Sequence, residues 1–281
     1  MIALRRDPAR PLFLYSALTV AAFFLLLPVF WMISTSFKKI GAVFSLPVQW
    51  IPTDPQFENY LHAWSNPLTQ SDFTRYTVNS VIVTASVTVL NVLLTSLAGY
   101  GLAKYRFTGR SILFVLILVT LMLPLEVIMV PLYLTTKDLG WLDSYQGLIF
   151  PVVADAFGVF LMRQWFRSLP DELLEAARMD GAGHLRTFIQ IALPLSLPAI
   201  LTVAVFAFRE TWDEFTWPYL AISTEALRTV PLGVRTFQQA ELTNFPEIMA
   251  IATLASIPLA VLYFVFQKYF VRAIASSGVK G

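Results

Sequence analysis

The sequence predicts an all-α, polytopic membrane protein of six transmembrane helices with both termini in the cytoplasm. Of its 281 residues, 57% are hydrophobic and only 14% are charged, and the mean hydropathy is +0.66. Soluble domains average about 45–50% apolar and about 25% charged residues, so a water-soluble fold of this composition would expose large apolar patches. Six stretches approach the ~20 apolar residues that cross a bilayer as helix, and the basic residues are shared unevenly between the loops that join them.

The first stretch covers Leu12 to Ile33. It is too long for a cleaved signal peptide and lacks a small-residue cleavage site, so it reads as a retained anchor. Ser34 to Arg75 follows as a long loop carrying Pro47, Trp50, Pro52, Pro55, Trp64 and Pro67, expected to pack at the membrane surface through its aromatics. The remaining spans are Tyr76 to Tyr100, Ser111 to Leu134, Tyr145 to Phe166, Leu197 to Leu220 and Ile248 to Phe270. Residues 1–281 read as one transmembrane domain, with no internal repeat and no low-complexity tract.

Basic side chains set the expected direction of insertion. Thirteen lysines and arginines fall on the side of the termini, among them Arg5, Arg6, Lys104, Arg106, Arg110, Arg167 and Arg186; six fall on the other side, and Arg209 lies within a span. The majority side reads as cytoplasmic. A net charge of +2 gives no footing for nucleic acid. Cysteine is absent, and neither His62 nor His184 has a second ligand at metal spacing. No G-x-x-x-x-G-K-[ST] loop, Ser/His/Asp set or H-E-x-x-H helix occurs, so no catalytic, nucleotide or metal site is expected on this chain.

Between the fourth and fifth spans lies a polar stretch, SLPDELLEAARMDGAGHLRTFIQIALPLSLP, residues 168–198. Ser168 with Asp171 resembles a capping box, and Pro170 suits a first helical turn. Leu173, Leu174, Ala176, Ala177 and Met179 give the helix an apolar side; Asp171, Glu172, Glu175 and Arg178 keep it wet. Gly181 and Gly183 end it, and His184 to Ile191 can form a second short helix before Pro194 and Pro198 open the next apolar run. Such a segment either lies among lipid headgroups or docks onto a partner.

Ionisable residues inside spans are costly and are candidates for function. Glu126 lies between Pro124 and Pro131 in the third span, and Asp155 near the middle of the fourth. The fifth holds Arg209, Glu210, Trp212, Asp213, Glu214 and Trp217. Arg209 and Asp213, like Glu210 and Glu214, are four apart and share a helix face. At ~1.5 Å per residue, Arg209 sits roughly 18 Å into its span, near the midplane. One reading is a polar pathway in which carboxylates accept from solute hydroxyls and tryptophan faces stack on sugar rings. The other is structural, an Arg209–Asp213 salt bridge with tryptophans as interfacial anchors. One arginine against five acids weakens the case for an anionic solute.

Several of these segments carry a family resemblance. Glu175-Ala176-Ala177, Asp180-Gly181-Ala182 and Ile191-Ala192-Leu193-Pro194 resemble the "EAA" loop of ABC importer permeases. Phe208 to Leu220, FRETWDEFTWPYL, is similar to the fifth-span signature of carbohydrate importer permeases, departing from it where Asp213 replaces an asparagine and in the charged pair Arg209-Glu210. Asn79-Ser80, Ala98-Gly99-Tyr100-Gly101-Leu102-Ala103 and Phe270-Val271-Arg272 also match, and the tail Gly278-Val279-Lys280-Gly281 resembles that of the second permease of maltose-type importers.

The resemblance implies a type I ABC importer transmembrane domain in a bacterial or archaeal cytoplasmic membrane. Residues 168–192 would be its coupling segment, with Glu175, Ala176, Ala177, Asp180 and Gly181 against a separate ATPase homodimer. ATP and Mg would be bound by that ATPase and not by this chain. Val279 and Lys280 would reach the ATPase interface. A homologous second permease, an extracytoplasmic solute-binding protein and membrane lipid would complete the assembly, and nucleic acid would have no part in it. The implied function is ATP-driven carbohydrate import, with Glu126, Asp155, Arg209, Glu210, Trp212, Asp213 and Glu214 as pathway candidates. Two alternatives stay open: the same machine for a glycerol phosphate ester or an amino acid, and an ion-coupled secondary transporter. The absence of inverted halves and of an interrupted helix pair argues against the latter.

Overall fold

The computed structural model describes residues 9–66, 71–240 and 244–278. Among these the fold is almost wholly helical. In chain order the helices are α1 (Ala9–Ser36), α2 (Glu58–Trp64), α3 (Phe73–Lys104), α4 (Arg110–Thr120), α5 (Leu125–Asp138), α6 (Tyr145–Ile149), α7 (Ala156–Ser168), α8 (Asp171–Met179), α9 (His184–Thr187), α10 (Leu193–Leu195), α11 (Leu197–Asp213), α12 (Thr216–Ala221), α13 (Val230–Ala240) and α14 (Phe245–Gly278). A two-stranded antiparallel ladder pairs β1 (Ser65–Asn66) with β2 (Ser71–Asp72), Ser65 opposite Asp72. The chain divides into two compact units, one of Met1–Phe73 with Val234–Ile257, the other of Thr74–Gly233 with Pro258–Gly281.

In the first unit, α1 leaves its apolar side chains outward, with Phe13, Phe23 and Leu25 among the most exposed. Its carboxyl end is answered by the loop that follows. Asn59 Nδ2 donates to the Ser36 carbonyl at 2.8 Å and to that of Lys38 at 3.0 Å, supplying donors that a helix end lacks. The loop aromatics pack within the chain, Trp50 edge-on to Trp31 and Phe57 edge-on to Phe37. Lys38 is buried and sets its ammonium 3.8 Å over the Trp31 ring. His62 Nδ1 meets Glu247 Oε1 at 2.8 Å and ties α2 to the start of α14.

In the second unit, the predicted spans are corrected in a consistent way. α3 is unbroken, as expected, and α14 extends beyond its predicted limits on both sides. The other three are interrupted. The third span turns by 100° between α4 and α5, because Pro124 lacks an N–H and holds extended backbone at ψ 145°. The fourth bends by 49° where Asp155 is extended at φ −124°, ψ 120°. The fifth stops at Asp213 and restarts at Thr216, since Glu214 is extended at ψ 119°. Its amino end bends by 79° from the segment His184–Leu195, where Phe188–Ala192 widens into a π turn and Pro194 lies inside the helical run. Pro198 occupies the first turn of α11, a position proline tolerates. Among the described residues, three helices are thus long and apolar enough to cross a membrane singly, and three bent pairs pass that test together. The premise that no helix pair is interrupted does not hold, and it carries no weight against a secondary transporter.

The bent α6–α7 pair seats on α3 through small residues. A Cβ on Gly99 would lie 2.7 Å from Met162 Cβ and 2.8 Å from the Arg163 amide; one on Gly158 would lie 2.7 Å from Thr95 Cγ2. Backbone contact at this range requires glycine. Arg163 is buried at the same seam, with Nε on the Leu102 carbonyl at 3.3 Å and its guanidinium 3.8 Å over Phe114.

A clamp ties the α5–α6 loop to the segment after α12. Asp143, at φ 58°, accepts from the Ser223 and Thr224 amides at 3.0 Å each and from Thr224 Oγ1 at 2.9 Å, with the Ser223 hydroxyl as a further donor. Partial burial pushes this carboxyl upward, but the donors outweigh it and hold it at about 2 against an ordinary 3.8. A depressed carboxyl stabilises the fold fully above its unfolded pKa and loses that contribution as pH falls through the folded one.

Two outcomes are expected. Gly99→Leu forces α3 and α7 apart and costs about 1–3 kcal/mol, read as a lower Tm of the detergent-solubilised protein. The wild-type Tm falls more steeply than that of Asp143→Asn as pH drops from about 4 to about 2, where only the wild type loses a bound carboxylate.

Candidate coupling segment and solute cavity

The polar segment forms a helix, but it starts differently from the capping-box expectation. Ser168 closes α7, its hydroxyl turned back to the Trp165 carbonyl at 2.8 Å, and α8 begins at Asp171. The start of α8 is fixed from α3: Lys104 Nζ donates to the Leu169 carbonyl at 2.7 Å and to Asp171 Oδ1 at 2.6 Å. The end follows from Gly181, at φ +81°, which lets the Ala182 amide fold back onto the Ala177 carbonyl at 3.0 Å. That six-to-one bond is the Schellman closure.

The apolar residues of α8 divide between two directions. Leu174 and Ala177 are buried, whereas Leu173 and Met179 are 47% and 88% exposed and Ala176 is exposed as well. Leu174 enters a core cluster with Tyr100 of α3, Met162 and Phe166 of α7, Phe188 of the π turn and Val203 of α11. Tyr100 is its centre, with ring centroids 5.2 Å from Phe166, 4.9 Å from Phe188 and 5.8 Å from Tyr105. Leu173, Ala176 and Met179 remain as an outward apolar strip beside exposed Glu175 and Asp180. Lys104, Arg106, Arg110 and Arg167 line a polar recess of about 640 Å³ against Asp171 and Glu175, so the surroundings of the strip are net basic.

A second recess, of about 260 Å³, opens where the interrupted helices meet α3. The break before α7 is satisfied from two sides. Asp155 accepts from the Phe157 amide at 2.9 Å and the Gly158 amide at 2.7 Å, while Asn91 of α3 donates to the Val153 carbonyl at 3.1 Å. Glu214 does the same for α12, accepting from the Trp217 amide at 2.9 Å. The Trp217 indole is buried and donates to the Gly147 carbonyl at 2.9 Å.

Of the pathway candidates, Asp155, Glu210 and Glu214 come together on this recess. Glu126, Arg209, Trp212 and Asp213 do not line it. Glu126 is exposed in the first turn of α5, where a carboxylate suits the helix amino end. Trp212 is buried and stacked on Phe208 with centroids 5.9 Å apart, so its face is occupied within the chain. Arg209 and Asp213 are both exposed and, among the described residues, form no ion pair with each other, which corrects the structural alternative. Val279 and Lys280 lie outside the described residues. The site also contains neutral polar groups that the search for charges passed over: Ser80, Thr84 and Asn91 on α3, Thr211 on α11, and Thr229. Asn91, an amide in the middle of an apolar span, was the signal available for them.

Comparison with known proteins agrees with this architecture. Residues 91–276 match the family described as the binding-protein-dependent transport system inner membrane component. The chain is 38% identical over 260 residues to the probable ABC transporter permease protein YurM of Bacillus subtilis, covering 90% of this chain and 83% of that one. It is 33% identical over 259 residues to the arabinooligosaccharides transport system permease protein AraQ of Bacillus subtilis, with 91% of each covered. It is 34% identical over 270 residues to the sn-glycerol-3-phosphate transport system permease protein UgpE of Yersinia pestis, covering 95% and 96%. A crystal structure of a bacterial ABC transporter involved in import of the acidic polysaccharide alginate contains a chain that superposes with a TM-score of 0.83 at 26% identity, over 96% of this chain and 99% of that one. With two thirds of its length matched by one family and a relative 38% identical over 90% of it, the chain belongs to the membrane-spanning permease components of binding-protein-dependent ABC transporters.

Proposed function

We propose that this chain is the permease subunit of an ATP-driven carbohydrate importer in a bacterial or archaeal cytoplasmic membrane. It crosses the membrane six times, through the three unbroken helices and the three bent pairs, with its termini and α8 on the cytoplasmic side. A homologous second permease completes the pathway, an extracytoplasmic binding protein delivers the solute, and an ATPase homodimer holding ATP and Mg drives the cycle. This chain takes no part in the hydrolysis and moves as a gate.

The observation that carries the proposal is the two-sided α8. Leu174 and Ala177 key it to the bundle, while Leu173, Ala176 and Met179 stay exposed among the described residues. A helix anchored on one side and apolar on the other is suited to transmit the motion of a docked body. The excess of basic residues on that side supports its cytoplasmic placement, where ATP is available. A carbohydrate cargo is supported by the arabinooligosaccharide and alginate relatives and by a recess rich in hydroxyl-bonding groups. UgpE favours a second reading, a glycerol phosphate cargo.

Leu174→Ala and Leu173→Asp separate the two sides of α8. The first empties a packed position and costs about 2–4 kcal/mol, lowering the Tm of the isolated chain. The second leaves the Tm within about 1–2 °C and abolishes co-purification of the ATPase, since an exposed side chain holds little of the fold. Gly181→Val meets no atom within 4 Å but must adopt a left-handed backbone, at about 1–2 kcal/mol. In the reconstituted importer it abolishes stimulation of ATP hydrolysis by the binding protein while membrane insertion persists. Undiminished stimulation disproves the coupling role of α8.

A further inference from the structure

We infer that the recess between α3, α5, the break before α7 and α11–α12 is a solute-contact site of this subunit and that it selects against acidic solutes, taking neutral polyhydroxylated ones. The inference rests on the importer reading above and narrows its cargo. It separates this chain from its glycerol phosphate and alginate relatives, whose named cargoes are anions.

Three features of the recess carry it. The first is unspent hydrogen bonding. Thr84 Oγ1, Asn91 Oδ1 and Thr229 Oγ1 are buried, belong to residues lining the recess and, among the described residues, have no hydrogen-bond partner. Asn91 and Thr84 lie seven residues apart on α3, two turns along one helix face. A buried polar atom without a partner is costly, and three gathered beside one cavity favour a hydroxyl-bearing guest there. The second is charge. Asp155, Glu210 and Glu214 line the same cavity, and among the described residues no lysine, arginine or histidine does. Asp155 and Glu214 are partly committed to helix amides, whereas Glu210 has no such commitment and is free to accept from solute hydroxyls. Arg209, its neighbour in sequence, is exposed outside the lining. The third is shape. Apolar side chains such as Val83, Val87 and Leu132 complete the wall, giving the mixed surface that a sugar ring with apolar and hydroxylated faces requires. A carboxylate or phosphate on the solute would meet three acids in the lining and no lining cation, with Arg209 offsetting Glu210 only from outside it, an arrangement that disfavours an anion by like-charge repulsion.

The absence of cysteine from this chain allows a direct reading of the site's charge. Thr84→Cys and Thr229→Cys are made singly and assembled into the complete importer. Each is treated with two methanethiosulfonates of similar size, one ending in a trimethylammonium and the other in a sulfonate, and labelling is followed by the mass of this chain. The ratio of the two rates cancels the thiolate fraction. It is expected to favour the cation about tenfold beyond the same ratio at free cysteine, and to fall toward the free value when Glu210→Gln and Glu214→Gln are added. An equimolar set of neutral di- and trisaccharides is expected to slow labelling severalfold, and an alginate trisaccharide at equal concentration to leave it unchanged. Equal or anion-favoured labelling, thiols inert to both reagents at both positions, or stronger protection by the alginate trisaccharide overturns the inference. Because binding-protein-stimulated ATP hydrolysis is read separately, charge selection can fail while the importer reading stands.

Discussion

A helix interrupted within a bilayer frees amides and carbonyls that hydrocarbon cannot satisfy, and the rest of this structure is arranged around answering them. Asn91 supplies the donor at Val153, Asp155 supplies the acceptor for Phe157 and Gly158, and Glu214 does so for Trp217. Each answer places a polar side chain within a largely apolar helical run, where it needs a wet or protein-lined space. The cavity and the breaks are therefore one feature. Irregular backbone makes room for polar groups, and the polar groups make the irregular backbone tolerable.

Packing follows from the same constraint. An interrupted helix is shorter and less self-sufficient, so it has to lean on a continuous neighbour. α3 provides that support along a single seam, where Thr95 receives Gly158 and Gly99 receives the backbone at Met162 and Arg163. Beyond the seam, Tyr100 gathers Phe166 and Phe188 and closes over Leu174. The aromatic cluster thereby joins α8 to both flanks of the bundle it serves.

Much of this was legible in the sequence, and the boundary of legibility has a physical cause. Composition and run length identify the membrane class because a bilayer imposes a minimum apolar length on any helix that crosses it. Gly181 marks the end of α8 because a left-handed residue is a local requirement. Ser168 misled because the same residue types serve to close one helix and to open the next; only the Lys104 contact from a distant segment decides where α8 begins. The breaks were hidden for a similar reason. Pro124 announces one, but those at Asp155 and Glu214 depend on partners far along the chain or on the residue's own side chain. Among the acids, hydropathy could not separate Glu210, on the cavity, from Glu126, at an exposed helix start.

The continuity of α3 has a mechanical corollary. Within one rod of 32 residues, Thr84 and Asn91 touch the cavity while Tyr100 and Lys104 grip the segment around α8. Asn91 and Tyr100 are separated by roughly 14 Å of unbroken helix, too short and too stiff to bend appreciably under load. Any axial displacement of this rod would carry its cavity end and its α8 end together.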